Sequence, residues 1–368
     1  MQQDPLIGTT LGKYRILATL GHGGMAHVYR AHQENLDREV AIKVLPPWYA
    51  ADRNFVERFN LEARLVARLS HPNIVTIHDF SEQNGHLYIV MQLVDGGTLK
   101  QLLDTLRDPS SSANQHSQEV IGAMDAAEAN RIFQQLASAL AYAHEQGIIH
   151  RDIKPVNVLL DRTKRPILSD FGIAKVLAST KELTRPGAGV GTPEYMSPEQ
   201  CKGEQVDGRA DIYALGVMLY ESLTGRTPFI GDNYPAIAHS HLYETPPDPR
   251  LFNRLIPQPV SGVILTALQK KPEQRYQRAS DMAKALEHAV QVASKGGTYQ
   301  LATPGQTTID RAPTSPIYLC PKCERPNKPD TYYCTRCGSP LNFCPNCRSQ
   351  NKAKDRFCTK CGYALNRV

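Results

Sequence analysis

Short apolar stretches with the length of β-strands characterise the first 94 residues of the chain. Strands are predicted at residues 14–20, 40–43, 74–77 and 87–90. Between the second and the third of these strands, Phe55, Phe59, Val66 and Leu69 follow helical spacing. The pattern therefore predicts a β-rich region that contains one amphipathic helix over residues 55–69.

Helical spacing governs the next part of the chain, up to about residue 292. The apolar face of a helix predicted over residues 126–144 consists of Ile132, Leu136, Ala139, Leu140 and Ala143. The stretch between Leu106 and Asp125 is polar and short of large apolar residues, which indicates a surface loop. Residues 291–316 are rich in Gly, Thr, Pro, Ser and Gln, and this composition predicts a flexible linker.

The segment 317–366 contains an internal repeat with a period of 24 residues. Two Cys-x-x-Cys pairs within 320–337 recur within 344–361, and the cysteines are Cys320, Cys323, Cys334, Cys337, Cys344, Cys347, Cys358 and Cys361. Each set of four thiolates suits one tetrahedral Zn²⁺, so two closed structural zinc sites are predicted. Redox disulfides are the alternative, although redox motifs rarely occur as four regularly spaced copies. Because so small a segment builds little core, zinc should supply its folding free energy.

Charge is distributed unevenly along the 368 residues. The whole chain has a formal charge of +6, and residues 317–368 alone contain ten Lys/Arg and three Asp/Glu. Two Zn²⁺ bound by eight thiolates would reduce the charge of this segment from +7 to about +3. Nucleic-acid binding by the tail is therefore the weaker hypothesis, and recruitment of a protein partner is the stronger one.

The cysteine distribution and the apolar pattern both bear on the compartment. Eight of the nine cysteines lie in the tail and only Cys201 lies elsewhere, which favours metal binding in a reducing environment. No stretch approaches about 18 consecutive apolar residues, as a transmembrane helix would require. The first five residues lack the pattern of a signal peptide. We therefore predict a cytoplasmic protein without a membrane partner.

The segment His150–Asn157 and the following Asp170-Phe171-Gly172 carry the clearest candidate chemistry. Asp152 and Asn157 lie five residues apart on one predicted loop, and Asp170 stands close to a glycine. Phosphoryl transfer requires a carboxylate that orients the attacking hydroxyl, together with oxygen ligands for magnesium. The three-residue motif alone arises by chance, but the two motifs at this spacing are specific.

Two features of the β-rich region fit the binding of phosphates. A turn with Gly21, Gly23 and Gly24 follows the first predicted strand, and its backbone amides can approach phosphate oxygens. Lys43 interrupts an apolar strand, and a buried lysine requires an anionic partner. Taken alone, the turn is more often a simple hairpin and the lysine a surface residue of an edge strand.

In order from Gly21 to Arg275, these motifs resemble those of eukaryotic-type (Hanks-type) bacterial serine/threonine protein kinases. The resemblance implies an α+β, two-lobed protein kinase fold over residues 14–290, with a β-rich N-lobe (14–94) and a helical C-lobe (95–290). The tail resembles a double zinc ribbon. The implied activity is transfer of the γ-phosphate of ATP to Ser or Thr hydroxyls of protein substrates, with Mg²⁺ or Mn²⁺ as the cofactor.

The resemblance also assigns roles to the residues of the central motifs. Asp152 would be the catalytic base, and Asn157 and Asp170 would be the metal ligands. Lys154, two residues after Asp152, would touch the transferring phosphate. A lysine at this position is typical of kinases that act on Ser and Thr.

On the N-lobe side, the resemblance pairs Lys43 with Glu62 and places the Lys43 ammonium on the α and β phosphates. Backbone groups of the hinge at residues 91–94, including Gln92 and Val94, would hydrogen-bond the adenine. The apolar contacts to the base would come from Leu20, Val28, Ala41 and Leu159.

The Ser/Thr-bearing segment between Gly172 and Gly191 corresponds to an activation loop. Arg151 would pair with a phosphate on this loop and order it. Thr184 matches the site used by similar bacterial kinases, so autophosphorylation is predicted there, with Ser179 and Thr180 as weaker candidates. Thr192 matches a residue near the substrate hydroxyl.

A competing hypothesis is a kinase-fold scaffold or nucleotide sensor whose zinc ribbons recruit protein or nucleic-acid partners. The presence of Lys43, Asp152 and Asp170 disfavours it. A kinase homodimer, through the back of the N-lobe or otherwise, is a further arrangement that the sequence neither requires nor excludes.

Overall fold

The structure is a computed structural model that falls into two compact units, residues 1–301 and residues 302–368. In the first unit it describes residues 4–23, 26–108, 123–171 and 193–294. In the second unit it describes residues 318–319, 322, 326–327, 333, 339, 341–343 and 350–351. No helix within these ranges has the length and apolar character needed to cross a membrane.

Six strands among the described residues form an antiparallel sheet in the first unit. In spatial order they are β1 (Thr10–Leu11), β2 (Tyr14–Gly23), β3 (Ala26–Gln33), β4 (Arg38–Val44), β6 (His86–Gln92) and β5 (Ile77–Gln83). The two-residue period of a strand places Val40, Ile42 and Val44 of β4 in one buried cluster. The same period turns Ala41 and Lys43 to the opposite face, toward the candidate site.

Helices α1 (Pro47–Ala50) and α2 (Arg53–Val66) follow β4. The Asp52 carboxylate caps α2, because it accepts hydrogen bonds from the amides of Asn54 at 2.9 Å and Phe55 at 3.2 Å. One face of α2 is buried through Phe55, Phe59, Ala63 and Val66. The predicted amphipathic helix is confirmed, although residues 67–69 lie beyond its end.

The strand predicted at residues 74–77 is wrong, because β5 begins at Ile77. The amide of Val75 instead donates to the carbonyl of Leu168 at 2.8 Å. Leu168 ends β8 (Pro166–Leu168), a strand of the C-terminal half. The backbone before β5 therefore bonds across to the part of the chain that carries the catalytic motifs.

The C-terminal half is mainly helical. Its helices are α3 (Leu99–Arg107), α4 (Ala126–Glu145), α5 (Pro198–Lys202), α6 (Gly208–Thr224), α7 (Tyr234–Tyr243), α8 (Gln258–Ala267) and α9 (Ala279–Ser294). Every residue of α6 from Ala210 to Leu223 is buried, so this helix lies in the core with neighbours on all sides. The apolar face predicted for α4 is buried as expected. Strand β7 (Val158–Leu160) pairs antiparallel with β8.

A buried ion pair ties α5 to the rest of the C-terminal half. Arg275 Nη1 and Nη2 each lie 2.8 Å from an oxygen of the Glu199 carboxylate. The guanidinium also stacks over Tyr213, with its carbon 4.9 Å from the ring centroid. Burial alone would raise the pKa of Glu199, but Arg275 holds it below its usual range. Arg275 therefore partners a carboxylate that would otherwise be buried without a counter-charge.

In the second unit, the 24-residue period of the sequence recurs in the backbone. Strand β9 (Tyr318–Leu319) pairs antiparallel with β10 (Pro326–Asn327). Strand β11 (Asn342–Phe343) pairs antiparallel with β12 (Gln350–Asn351). Each residue of the second hairpin follows its counterpart in the first by 24 positions. The eight predicted zinc ligands lie outside the described residues.

Candidate active site

The backbone of the candidate catalytic loop is held by Asp211, at the start of α6. The buried Asp211 carboxylate accepts hydrogen bonds from the amides of His150 at 2.9 Å and Arg151 at 2.8 Å. It also lies 2.8 Å from His144 Nε2 on α4. Arg151 has a φ of 69°, a conformation in which a side chain costs energy, so these bonds fix a strained backbone.

Lys154 and Asn157 both contact the same oxygen, Oδ2, of the Asp152 carboxylate. Asn157 Nδ2 donates to Asp152 Oδ2 at 3.0 Å and to the Asp152 carbonyl at 2.8 Å. Lys154 Nζ lies 2.9 Å from the same Oδ2. Asn157 is buried, while Asp152 is half-buried and can meet a substrate. The structure thus brings together Asp152 and Asn157, which the sequence analysis grouped by their spacing, and Lys154, which it added through the resemblance to protein kinases.

A second set of contacts connects this loop to Asp170. The buried His150 ring lies between them: its Nε2 contacts the Ser169 carbonyl at 2.8 Å, and its Nδ1 accepts from the Asp152 amide at 3.3 Å. These partners select the tautomer with hydrogen on Nε2. The Ser169 amide donates to the Asn157 carbonyl at 2.9 Å. Asn157 and Asp170, the two predicted metal ligands, are thereby held in neighbouring backbone segments.

Lys43 pairs with Asp170, and this differs from the expected pairing with Glu62. Lys43 Nζ lies 2.8 Å from Asp170 Oδ1, and within the described ranges this is the ion pair of Lys43. Burial would raise the pKa of Asp170, but the Lys43 ammonium outweighs it and lowers the pKa below its usual range. Asp170 has a φ of 67°, so its backbone is also strained.

Glu62 belongs to a different part of the site. It lines a small cavity between α2 and Phe171, together with Phe59, Ala63, Val66, Ile77 and Ile89. The Phe171 ring lies tilted against the His150 ring, with centroids 4.4 Å apart and an angle of 57° between the ring planes. A pairing of Glu62 with Lys43 would therefore require a movement of α2 or of the two side chains.

Four of the predicted adenine contacts lie together. Val28, Ala41, Val94 and Leu159 belong to one apolar cluster with Met91. The exit of the hinge packs tightly against β7, since a Cβ on Gly96 would lie 2.4 Å from the carbonyl oxygen of Leu160. This close approach explains why glycine stands at that position.

Two other predicted nucleotide contacts are placed less favourably. Leu20 is 51% exposed and lies outside this apolar cluster. The Gln92 amide donates to the Thr76 carbonyl at 2.9 Å, so the predicted contact of Gln92 with adenine would have to use its carbonyl. Gly21 lies opposite Val28 in the β2–β3 register, and Gly23 is the last residue of β2.

Several predicted residues lie outside the described ranges. They are Gly24, Ser179, Thr180, Thr184 and Thr192, besides the cysteines of the tail. Sequence reasoning missed His144, although a signal was present: it lies four residues after Leu140, on the apolar face of α4. A polar side chain at such a position indicates a buried hydrogen bond.

The donor set fits a nucleotide with a hard divalent cation. Carboxylate and amide oxygens from Asp170 and Asn157 are the ligands that Mg²⁺ prefers, with the remaining positions left to phosphates and water. Lys43 adds a positive charge beside them. Among the described residues, no group of three or more His, Cys, Asp or Glu forms a separate metal site.

Two family models match the chain. The protein kinase domain matches residues 14–290, and the double zinc ribbon matches residues 320–362. The first family implies ATP and a divalent metal, and the second implies zinc.

Named relatives agree with the kinase match. The serine/threonine-protein kinase PrkC of Bacillus subtilis is 43% identical over 285 residues, which are 77% of this chain and 42% of PrkC. PknB of Mycobacterium tuberculosis H37Ra is 40% identical over 275 residues, which are 73% of this chain and 42% of PknB. The chain thus spans less than half the length of these relatives.

The fold is also similar to solved structures. The crystal structure of the M. tuberculosis PknI kinase domain superposes with a TM-score of 0.61 at 32% identity, over 78% of this chain and 99% of that one. Fold, site geometry and sequence therefore agree, and the chain belongs to the protein kinase family, with bacterial serine/threonine kinases as its relatives and a double zinc ribbon as its second module.

Proposed function

We propose that this protein is a serine/threonine protein kinase that transfers the γ-phosphate of ATP to hydroxyls of protein substrates. The observation that carries the proposal is the convergence of Asp152, Lys154 and Asn157 on one carboxylate oxygen, next to the Lys43–Asp170 pair. This arrangement joins a proton acceptor, two cations and two metal ligands within one site.

Asp152 takes the proton in this scheme. The substrate hydroxyl oxygen forms a bond to the γ-phosphorus, the bond from that phosphorus to the bridging oxygen breaks, and the hydroxyl proton moves to the Asp152 carboxylate. Asn157 and Lys154 hold Oδ2 of that carboxylate in place, so the orientation is set before substrate arrives. Lys154 then lies close enough to offset charge on the transferring phosphate.

Asp170 and Asn157 would hold the metal, Mg²⁺ or Mn²⁺, which supplies charge neutralisation of the phosphates when bound. Asp170 Oδ1 contacts Lys43 at present. We infer that Lys43 moves toward the phosphates when nucleotide binds, and that Glu62 then becomes its carboxylate partner.

Ser/Thr specificity is supported by the names of the relatives and by Lys154. Autophosphorylation at Thr184 belongs to the same proposal, with Arg151 as the partner of the phosphate. The buried Arg151 Nε makes no hydrogen bond to the described residues, and this supports the proposal that Arg151 binds the phosphate.

For the tail, we propose two structural Zn²⁺, one held by the four cysteines within residues 320–337 and the other by the four cysteines within residues 344–361. The repeated hairpins support two equivalent modules, since each spaces its strands in the same way. Recruitment of a protein partner is the proposed role. Cytoplasmic location remains a prediction, in agreement with thiolate ligands that require a reducing environment.

The test is phosphotransfer from ATP-Mg²⁺ by the purified full chain, next to Asp152→Asn, with zinc measured in the same samples. Myelin basic protein serves as acceptor, together with a peptide of residues 178–190. Phosphoserine or phosphothreonine formed by the wild type alone, with two zinc ions per chain, supports the proposal. Equal inactivity of both proteins with zinc in place would favour the scaffold hypothesis instead.

A further inference from the structure

Two hydrogen-bond donors at the C-terminal end of α6 have no acceptor among the described residues. They are the Tyr220 hydroxyl and the Nε–H of Arg226, and both atoms are buried. Burial raises the pKa of Tyr220, so its hydroxyl keeps the proton and remains a donor. A buried donor that has lost water without gaining an acceptor costs free energy, and such a pair indicates an incomplete binding site.

The Phe252 ring lies next to both donors. The guanidinium carbon of Arg226 lies 4.3 Å from the centroid of this ring. The Tyr220 ring meets it edge-on, with centroids 6.5 Å apart and 61° between the ring planes. The positive charge of Arg226 also opposes the rise in the pKa of Tyr220, so the two side chains are close to one another. The two donors therefore belong to one site.

The same site borders a short apolar surface. Leu251, Phe252 and Leu255 are 62%, 41% and 59% exposed. We call these three residues and Arg226 the Arg226 patch. Single exposed apolar side chains are normal on a protein surface, but three large ones within five positions form a contiguous patch of the kind that binds partners.

The backbone under the patch is held in place. Asn253 is buried, and its Nδ2 donates to the carbonyl of Leu223, near the end of α6, at 2.8 Å. Its Oδ1 accepts from the Leu255 amide at 3.0 Å. The Phe252 amide donates to the Pro249 carbonyl at 3.0 Å. A partner would therefore meet a surface whose backbone is already ordered, which lowers the entropic cost of binding.

The charge of this surface is unbalanced. Arg250 is neutralised by Asp248, with Nη2 2.6 Å from the carboxylate, and that carboxylate also accepts from the Ser261 hydroxyl at 2.9 Å. Within the described ranges, no ion pair joins Arg226 or Arg254 to a carboxylate. Arg226 is half-buried, so the outer nitrogens of its guanidinium are accessible. The surface thus combines free positive charge with exposed apolar side chains.

We propose that the Arg226 patch binds an acidic, apolar segment of a protein partner. An Asp or Glu carboxylate of the partner lies on the Arg226 guanidinium, whose donors form a planar fork that matches a carboxylate. Apolar side chains on either side of this carboxylate cover Leu251 and Leu255. Displacement of the exposed Phe252 ring gives the carboxylate access to the Nε–H and to the Tyr220 hydroxyl. The inference goes beyond the proposed kinase function and does not depend on it.

The probe is a mixture of immobilised peptides, acetyl-Ala-X-Glu-X-Ala with a biotinylated C-terminus, in which X is Leu, Ile or Phe. The same mixture with Gln in place of Glu is its matched control. Binding of the purified full chain is followed by surface plasmon resonance for the wild type, Arg226→Met and Leu255→Ser. Arg162→Met and Leu36→Ser are the control variants, because the Arg162 side chain is 84% exposed and Leu36 is 58% exposed, both outside the patch.

The wild type should bind the Glu peptides about tenfold more tightly than the Gln peptides, as expected for a hydrogen bond to a charged group. Arg226→Met should bind both mixtures equally weakly. Leu255→Ser should weaken the binding of both and keep the preference for Glu. Tyr220→Phe should raise the melting temperature, because it removes an unpaired buried hydroxyl, and should weaken the binding of the Glu peptides less than Arg226→Met does. The control variants should bind as the wild type does.

Equal binding of the Glu and Gln peptides by the wild type would overturn the proposal, and so would a preference that persists in Arg226→Met. If Arg226→Met fails to fold, the comparison of the two mixtures on the wild type still decides. A dimer in sedimentation that Leu255→Ser dissociates would also overturn it, since a second copy would then cover the patch. Arg226-dependent binding to phosphatidylserine vesicles, without binding of the Glu peptides, would assign the patch to a membrane surface instead.

Discussion

The two sides of the active site differ in how completely the folded chain builds them. On the catalytic-loop side, Asp211 fixes the backbone and two donors fix the Asp152 carboxylate. On the nucleotide side, Lys43 holds Asp170 through one ion pair, and α2 borders a cavity. The first side is prepared for proton transfer, whereas the second side must change its contacts when nucleotide binds.

The difference follows from burial. The catalytic loop lies on helices whose core-facing residues are almost fully buried, so each polar group there needs an internal partner. The nucleotide side faces the space that a phosphate chain would enter, and its charged groups neutralise one another in the meantime.

The largest expected effect concerns the buried pair that supports the catalytic-loop side. Arg275→Met leaves the Glu199 carboxylate buried without its partner, so the free energy of unfolding should fall by about 3–5 kcal/mol. Denaturant unfolding of the kinase unit measures this fall in the free energy of unfolding. Arg250→Met, which removes a more exposed pair, should cost less than about 1 kcal/mol. Equal losses in the two variants would mean that the buried pair contributes nothing special.

A second prediction concerns the anchor of the catalytic loop. Asp211→Asn weakens the acceptor of the His150 and Arg151 amides, so the loop loses its exact orientation and kcat should fall about 100-fold. The KM for ATP should change little, because the described partners of Asp211 are His144, His150 and Arg151, which all lie on the catalytic-loop side. Steady-state kinetics separate the two constants. A rise in the ATP KM with unchanged kcat would contradict the separation of the two sides.

The core of the C-terminal half and the nucleotide side should also respond differently to acid. Burial, together with the Lys270 charge, lowers the pKa of His241 to about 4, and the buried ring bonds the Tyr213 hydroxyl at 2.8 Å. Between pH 6.5 and 4 the unfolded chain therefore binds the proton first, and stability falls by about 2–3 kcal/mol. His241→Gln should remove most of this slope, as followed by unfolding at each pH.

Asp170 provides the contrast in the same experiment. Its pKa is lowered in the folded state, so its contribution is present above its usual pKa and is lost only as the pH falls through the lower, folded value. The nucleotide side should therefore keep its ion pair through the pH range in which His241 titrates. An unchanged slope in His241→Gln would assign the acid sensitivity to another group.

The smallest predicted effect compares packing next to α2 with packing in α6. Val66→Ile adds one CH₂ toward the cavity and should stabilise the kinase unit by about 0.8 kcal/mol at most. Val217→Ile adds the same group inside fully packed α6 and should destabilise it by about 1–3 kcal/mol. Thermal unfolding of both variants measures the two changes in stability. Equal shifts would show that the cavity beside α2 is not available for packing.

Much of this site could be predicted from local sequence. Asp152, Lys154 and Asn157 lie within a span of five positions on one loop. So short a loop allows few arrangements other than the contact of Lys154 and Asn157 with one oxygen of Asp152. The alternation in β4 likewise determined that Ala41 and Lys43 face the site. Patterns of this kind involve residues a few positions apart, and the local backbone geometry determines where their side chains lie.

The partners of Lys43 and of Val75 could not be predicted in this way. The Lys43 pairing depends on where α2 and Asp170 lie relative to one another, which is set by packing between halves of the chain. The residues around Val75 have strand-like composition, but their backbone bonds Leu168, more than 90 positions away. The contacts of Arg107 and Tyr195 with Glu221 were missed for the same reason, because the three residues belong to separate elements.

The most direct test of the difference between the two sides is hydrogen exchange of the full chain, alone and with a non-hydrolysable ATP analogue and Mg²⁺. The account predicts that exchange slows in residues 43–66 and 168–171, while residues 150–157 keep the rate that they have without nucleotide. If the catalytic loop changed as much as α2, or if α2 did not change at all, the division into a prepared side and a rearranging side would be wrong.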